Sequence, residues 1–389
     1  MYRITLVFFL FLLIPDLYIY LDVIRKTRKP SLRSLYWLPT ILLATGYVYL
    51  MYLTGDNAMS HHTQAIGRLA IAILLFVLPK TLFMLCSLAG VAMHFLTHHR
   101  CPRRPFTAIG TGLATVSFFS ILYGSLAGIT RFDIKEVEYR STDIPEGFDG
   151  YRIIQLSDIH IGSWQGNPEP IKQLVRLVNE QKANLIVFTG DLVNQQSHEL
   201  DGFQEILSQL HAPDGVYSIL GNHDYGSYYH WESPEAEADN LDYLFLQKKA
   251  MGWKLLNNAH EILHHNGDSI ALIGVENDGE PPFSQYADLP KAMQGTDSLF
   301  QILLSHNPTH WKREVLPTTH IPLMLAGHTH AMQSILFGHS LAELIYPEWQ
   351  GMYYEGNRAL YVNIGIGYVG LPFRFGAWPE VTVLTLRKS

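Results

Sequence analysis

Two patterns of apolar residues divide the chain. Up to about residue 130 they form long, nearly unbroken runs at 4–24, 34–53, 68–96 and 107–129. Each run is close to or above the ~20 residues that cross a bilayer as a helix. Beyond that point the runs shrink to five to seven residues and end in polar ones: YRIIQL, ANLIVFT, GVYSIL, FQILL and IPLMLA. Apolar runs of that length, closed by polar residues, predict strands. Between the first two, PEPIKQLVRLVNEQ repeats apolar residues at helical spacing (Ile171, Leu174, Val175, Leu177, Val178), and a similar helix is expected around 203–210. Strands alternating with helices predict an α/β sheet with its site at the carboxyl edge.

The long runs predict an all-α membrane region of four spans. Pro15 and Asp16 interrupt the first, which predicts a kink or a polar group turned inward. No small-residue cleavage site follows it and three more runs do, so it reads as a span and not as a signal peptide. Orientation follows from the loops. The first carries Arg25, Lys26, Arg28, Lys29 and Arg33, the third carries Arg100, Arg103 and Arg104, and the second, 54–66, carries no Lys or Arg. Lys and Arg mark the cytoplasmic side. The first and third loops are therefore expected inside, both termini outside, and the C-terminal domain extracytoplasmic. Arg131, Lys135 and Arg140 after the last span count against that orientation.

The expected organisation is a membrane region over 1–130, a connecting strand and turn over 131–150, and a catalytic domain over 151–389. With a net charge of −7 and no basic block, no nucleic-acid partner is expected. The two cysteines, Cys86 and Cys101, both precede the soluble part, which excludes a disulfide scaffold and a thiolate metal site there. Histidine is plentiful, and 14 of the 19 lie beyond the membrane region.

Candidate chemistry sits where the short runs end. They lead into Ser157-Asp158-Ile159-His160, Gly190-Asp191-Leu192-Val193-Asn194, Gly221-Asn222-His223-Asp224, Ser305-His306-Asn307 and Gly327-His328-Thr329-His330. A lone Asp or Asn after a strand is usually a turn residue, and a lone His usually a surface or satisfied core group. Five such motifs in order, each closing an apolar run, are not explained that way. Carboxylates, imidazoles and an amide oxygen suit divalent Mn, Fe, Zn or Co, with Mn favoured. Asp158, His160, Asp191, Asn222, His306, His328 and His330 are too many ligands for one ion and suit two that share a carboxylate. Such pairs clamp a phosphoryl group and activate water.

The order DxH, GDxxN, GNHD, an isolated His and GHxH resembles the calcineurin-like metallophosphoesterase superfamily, over roughly 151–386. The closing stretch NIGIGYVGLPFRFGAWPEVTVLTL resembles its membrane-associated bacterial branch, which includes small phosphodiesterases and enzymes that cleave the pyrophosphate of UDP-diacylglucosamine. The resemblance implies a two-sheet β-sandwich flanked by helices. It implies Asp158, His160 and His330 on one metal, Asn222, His306 and His328 on the other, and Asp191 as the bridge. It further implies that His223 touches the scissile phosphate and protonates the leaving group, with Asp224 orienting it. Asn194 is expected to be a turn or supporting residue.

Other features have ordinary expectations. Asn277-Asp278 is expected as a turn, His264-His265 as solvated beside the Asn266-Gly267 hairpin signal, and Arg374 as a surface ion pair. The aromatic stretch 225–231 reads equally as a substrate wall or a packed loop. The apolar stretch 337–354 reads as core or as a surface resting on lipid. The function expected is a membrane-anchored, dinuclear metal-dependent phosphohydrolase. Its substrate is a phosphodiester or pyrophosphate, lipid-linked or close to the membrane, with membrane lipids as partners and the oligomeric state left open. The rival is a sensor or transport component that only binds a ligand; intact ligand positions and an intact His223-Asp224 pair argue against it.

Overall fold

A computed structural model describes residues 2–53 and 63–389. The chain divides into two units, Met1–Ala127 with Gly370–Phe373, and Gly128–Val369 with Arg374–Ser389. The first holds helices α1 (Tyr2–Asp22), α2 (Pro30–Leu35), α3 (Leu38–Leu53), α4 (Thr63–Leu96) and α5 (Arg104–Leu126). Among the described residues, three stretches are long and apolar enough to cross a bilayer: Thr5–Lys26, Gln64–Leu96 and Arg104–Thr130. The remaining expected span, 34–53, is not one helix. It breaks at Tyr36 and Trp37, leaving α3 with 16 residues. Part of the second loop, 54–62, whose lack of Lys and Arg supports the expected orientation, lies outside the described residues.

The polar interruption of α1 is turned inward. Asp16 is fully buried, ion-paired with Lys80 of α4, and accepts hydrogen bonds from Thr40 and, at 3.1 Å, from Tyr36. A charge in an apolar helix is tolerated when partners of this kind neutralise and satisfy it.

The second unit is built on two six-stranded sheets. The first contains β1 (Asp133–Ser141), β2 (Arg152–Leu156), β3 (Leu185–Phe188), β4 (Val216–Ser218), β5 (Trp253–Leu255) and β12 (Glu380–Lys388), in the order β1-β12-β2-β3-β4-β5. The second contains β6 (Ala259–His265), β7 (Asp268–Gly274), β8 (Phe300–Leu304), β9 (Leu323–Ala326), β10 (Gly351–Glu355) and β11 (Arg358–Val362), in the order β10-β11-β9-β8-β7-β6. Strands β2 to β5 run parallel, as do β7, β8, β9 and β11, so their carboxyl ends share one edge in each sheet. The 131–150 stretch expected as a connection is built into this unit, with β1 pairing along its whole length with β12.

Alternation explains why the strand runs are apolar throughout. Ile153, Leu185, Val187, Ile302 and Leu304 fill the space between the sheets. Their neighbours Ile154, Ile186 and Phe188 turn to the helices α6 (Glu169–Glu180), α7 (Gln204–Leu207) and α8 (Pro234–Ala250), and Leu303 turns to Trp311 and Val315 on the other side. Successive side chains of a strand point to opposite faces, and here both faces are covered. Helix α6 presents Ile171, Leu174, Val175 and Val178 inward and keeps Lys172 and Glu169 paired at the surface, 2.8 Å apart. Truncating an inter-sheet residue such as Ile302 to Ala is expected to cost about 2–5 kcal/mol. The sandwich is thus a rigid base for the loops at its edge.

Candidate metal centre

Each candidate ligand lies just beyond a strand. Asp158 and His160 follow β2, Asp191 follows β3, Asn222 follows β4, His306 follows β8, and His328 and His330 follow β9. The loops are tight. Asp158, His160, Asp191, His328 and His330 all have φ between +47° and +75°. This backbone costs a non-glycine residue about 1–3 kcal/mol and persists where the surroundings over-determine it. Hydrogen bonds between loops do so here: Asp158 N–H to Gly190 O at 2.9 Å, His160 N–H to Asp191 O at 3.2 Å, and Gly327 N–H to His306 O at 2.9 Å. Space allows no side chain at Gly190, where a Cβ would lie 2.6–2.8 Å from Gly221 and His306. One on Gly327 would overlap Ser157 and Asp158.

The seven side chains converge as two groups. In the first, Asp158 Oδ1 lies 3.2 Å from His330 Nε2 and 3.9 Å from His160 Nε2, and the two nitrogens are 3.1 Å apart. In the second, His306 Nε2 lies 3.2 Å from each of Asp191 Oδ2, Asn222 Oδ1 and His328 Nδ1. Asp191 Oδ2 is also 3.6 Å from His160 Nε2, so one oxygen faces both groups. The other carboxylate oxygens are occupied: His328 N–H donates to Asp158 Oδ2 at 3.0 Å, and His223 N–H donates to Asp191 Oδ1 at 2.8 Å. Backbone donors thereby leave one oxygen of each aspartate facing inward.

The set fits divalent cations. Asp158 Oδ1 is a buried oxygen without a hydrogen-bond partner, which ordinarily costs about 1–3 kcal/mol. Donors on one ion at ~2.0–2.2 Å sit about 3 Å apart, matching the closest spacings here. Nitrogen and oxygen donors without thiolate suit borderline divalent metals. Burial, reinforced by His223, holds His160 far below the ordinary histidine range, and burial beside His306 takes His328 to about 3, so both rings are neutral. At His306 burial also acts downward, but the Asp191 carboxylate outweighs it and lifts the ring to about 9. Burial pushes Asp158 and Asp191 up, yet His330 and His306 respectively prevail and hold both carboxyls low. Positive charge is stabilised at this centre.

Supporting contacts differ in part from expectation. His306 Nδ1 donates to Thr189 O at 2.7 Å, which turns Nε2 toward Asp191, Asn222 and His328. Asn222 donates to the Tyr228 hydroxyl at 2.9 Å, turning its carbonyl oxygen inward. His223 is half-buried and lines the cleft, but Asp224 does not orient it. The His223 Nδ1 lies 2.6 Å from Asn194 O, and a carbonyl can only accept. Asp224 points under the loops, where its carboxylate accepts from the backbone N–H of Asp191, Leu192, Val193 and Gly221 at 2.8–3.2 Å. The fully buried Lys248 lies 3.8 Å from it. Burial raises Asp224 and lowers Lys248, each opposed by the other's charge.

Arg374 is not a surface residue. It is fully buried and donates to the carbonyls of Gly367, Ala377 and Ile364 at 2.7–2.9 Å, with Nη2 2.9 Å from His330 Nδ1. Asn277 and Asp278 are likewise buried; Asp278 pairs with Arg313 away from the cleft. Asn266-Gly267 does turn the β6–β7 hairpin; His264 is exposed, while His265 lies against Phe148 and Tyr151. The cleft over the centre holds about 330 Å³; its lining includes the polar Asp191, Asn222, His223, His328 and His330 and the larger Phe283, Met332, Tyr346 and Val369. The Tyr346 hydroxyl lies 3.0 Å from His328 Nε2, and the Tyr228 ring packs on His223 at 4.4 Å. No motif flagged Tyr346, Lys248 or Glu199. The only signal for Lys248 was a charge four residues beyond Leu244 on the apolar stripe of α8.

Two domain families match. One, described as "Calcineurin-like phosphoesterase", covers residues 151–332. The other, described as "Probable Calcineurin-like phosphoesterase, transmembrane domain", covers 2–129. A Bacillus subtilis protein named uncharacterized metallophosphoesterase YkuE is 34% identical over 264 residues, 64% of this chain and 84% of its own length. A Danio rerio transmembrane protein with metallophosphoesterase domain is 32% identical, covering 69% of this chain and 60% of its own. A Helicobacter pylori metallophosphoesterase is 31% identical over 75% of this chain and 73% of its own. The chain belongs to the calcineurin-like metallophosphoesterases. It is a membrane protein and a metal-dependent phosphoesterase, with the metallophosphoesterase fold of two mixed sheets flanked by helices.

Proposed function

We propose that this phosphoesterase uses two divalent ions to hydrolyse a phosphodiester or pyrophosphate bond in a lipid-linked or membrane-proximal substrate, with its catalytic unit extracytoplasmic. The observation that carries the dinuclear reading is Asp191 Oδ2, which faces His160 at 3.6 Å and His306 at 3.2 Å. Asp158, His160 and His330 would hold one ion, Asn222, His306 and His328 the other, and Asp191 both. Such a pair supplies Lewis acidity toward the phosphoryl group and activates water at neutral pH. His223 supplies what the ions do not. Its Nδ1 proton is held on Asn194 O at 2.6 Å, leaving Nε2 for the cleft, from which the protonated ring delivers a proton to the leaving oxygen. Membrane helices and the apolar wall of Phe283, Met332 and Val369 support an acyl-bearing substrate.

The test is a screen of the purified full chain, stripped and reloaded with Mn, Zn, Fe or Co, against phosphomonoesters, aryl phosphodiesters and lipid pyrophosphates, with bound metal measured in parallel. Two ions per chain and preference for diesters or pyrophosphates are expected. One ion per active chain, or turnover of monoesters alone, refutes the reading.

A further inference from the structure

The catalytic unit exposes eleven large apolar side chains, and six of them fall within the fourteen residues 332–345: Met332, Leu336, Phe337, Leu341, Leu344 and Ile345. Phe337 is 101% exposed and Leu344 82%. Isolated exposed apolar residues need no explanation, but a contiguous set marks a contact surface.

The segment is held in this form and is not a slack loop. Leu336 and His339 exchange backbone hydrogen bonds at 2.8 and 3.0 Å, closing a two-residue turn whose central residues, Phe337 and Gly338, have φ of +54° and +85°. Both positions of such a turn normally take Asn, Asp or Gly. A phenylalanine there is strained and gains nothing from the fold, since its ring touches only solvent. The next turn, Leu341–Leu344, is fixed by a capping box between Ser340 and Glu343, and Ser340 Oγ donates to Ala331 O at 2.6 Å. Ala342 is buried against Trp349 and Ala377, so Leu341 and Leu344 are held outward. Glu343, the one formally charged residue of the segment, lies 3.1 Å from His339 Nδ1. Its two ends, Met332 and Tyr346, line the cleft over the metal centre.

We infer that residues 332–346 form a wedge that enters the surface of a phospholipid bilayer and hands the phosphate-bearing end of a lipid substrate to the adjoining centre. A bilayer is the occupant because the chain itself carries membrane-spanning helices, the patch has a single formal charge, Glu343, whose carboxylate accepts from Ser340 N–H at 3.0 Å, and an aromatic tip flanked by leucines is the composition of interfacial elements. The docking part stands by itself; the hand-over rests on the lipid-linked substrate proposed above.

The test uses the full chain with Cys86→Ser and Cys101→Ser, carrying Phe337→Cys or, as control, Leu246→Cys on α8, each labelled with nitrobenzoxadiazole. Both are placed in phosphatidylcholine–phosphatidylglycerol nanodiscs with and without brominated acyl chains. Interfacial elements sit ~5–10 Å into the headgroup boundary, so the label at 337 is expected to lose emission in brominated discs and the one at 246 to keep it. An unquenched label at 337 overturns docking, and a doubled particle mass would then show a second copy covering the patch. For the hand-over, Phe337→Asp with Leu344→Asp should lower turnover of a lipid phosphodiester in the same discs at least about tenfold, the loss expected when a large apolar side chain no longer inserts. Turnover of soluble bis(p-nitrophenyl) phosphate should be unchanged, which also shows that the variant is folded. Unchanged turnover of the lipid by the variant overturns the hand-over. Failure of wild type to cleave any lipid while its 337 label is quenched overturns the lipid-substrate reading and leaves docking standing.

Discussion

Replacing Asp224 with asparagine separates two roles for this residue. In the structure Asp224 Oδ2 accepts from Asp191 N–H and Gly221 N–H, both at 3.1 Å, and Oδ1 accepts from Leu192 and Val193 at 2.8 and 3.2 Å. Asparagine keeps one oxygen and turns the other position into a donor that faces two N–H groups. Two hydrogen bonds to a charged acceptor are lost, at about 1.5–3 kcal/mol each, or about 3–6 kcal/mol in all. The loss falls on the loop that carries Asp191, so metal content drops together with stability. It is large beside the ~5–15 kcal/mol by which domains are usually stable. The assay is elemental analysis of the purified variant beside its thermal midpoint. A partner substitution sharpens it. Lys248 is fully buried, 3.8 Å from Asp224 and donating to Ile219 O at 3.0 Å. Asp224→Asn strands that ammonium, and adding Lys248→Met removes the stranded charge, so the double variant should be destabilised by less than the sum of the single ones. Normal metal content and midpoint in Asp224→Asn, with turnover lost only for poor leaving groups, would refute this account and return Asp224 to a role through His223.

Asp191→Asn should lower occupancy at both metal positions, and two metals retained with normal turnover would remove Asp191 from the bridge. His223→Ala should keep its metals and lose roughly 10²–10⁴-fold in rate, more for alkyl than for nitrophenolate leaving groups; a flat ratio across a leaving-group series sinks the acid role. Glu199, buried and accepting from Asn194 and Gln195 N–H, is raised by burial from 4.5 to about 7. Its folded pKa lies above the unfolded one, so its contribution is complete below pH 4.5 and lost as pH rises through about 7, about 3 kcal/mol over the window. Glu199→Gln should flatten thermal stability between those pH values, and slopes equal to wild type would exclude Glu199 as the source. A reporter fused after Ser389 should behave as extracytoplasmic and one inserted near Lys29 as cytoplasmic; the reverse pattern inverts the proposed orientation.

Much of the sandwich, and the convergence of seven side chains at its edge, is legible along the chain for one physical reason. A strand covered on both faces has to be apolar at every position, so the first polar residue after it marks the sheet edge, and parallel strands gather those residues at one edge. What is not legible depends on partners distant in sequence or on backbone geometry. The resemblance implies that Asp224 orients His223, yet neighbouring side chains diverge, and here one faces the cleft while the other points beneath the loops. Arg374 reads as a surface residue because arginine is almost never fully buried without partners. Its partners are three carbonyls and the back of His330, and the tight loop around 364–377 brings them to it. The run at 34–53 looks uniform in hydropathy, but a helix needs continuous backbone geometry as well as apolar side chains, and the turn at Tyr36 and Trp37 shortens it. Phe337 shows the converse. An aromatic residue in a stretch of leucines reads as core until the backbone places it in a left-handed turn with nothing packed against it. Hydropathy ranks a side chain's preference for leaving water. Whether protein or lipid provides the place to go is decided by where the backbone points it.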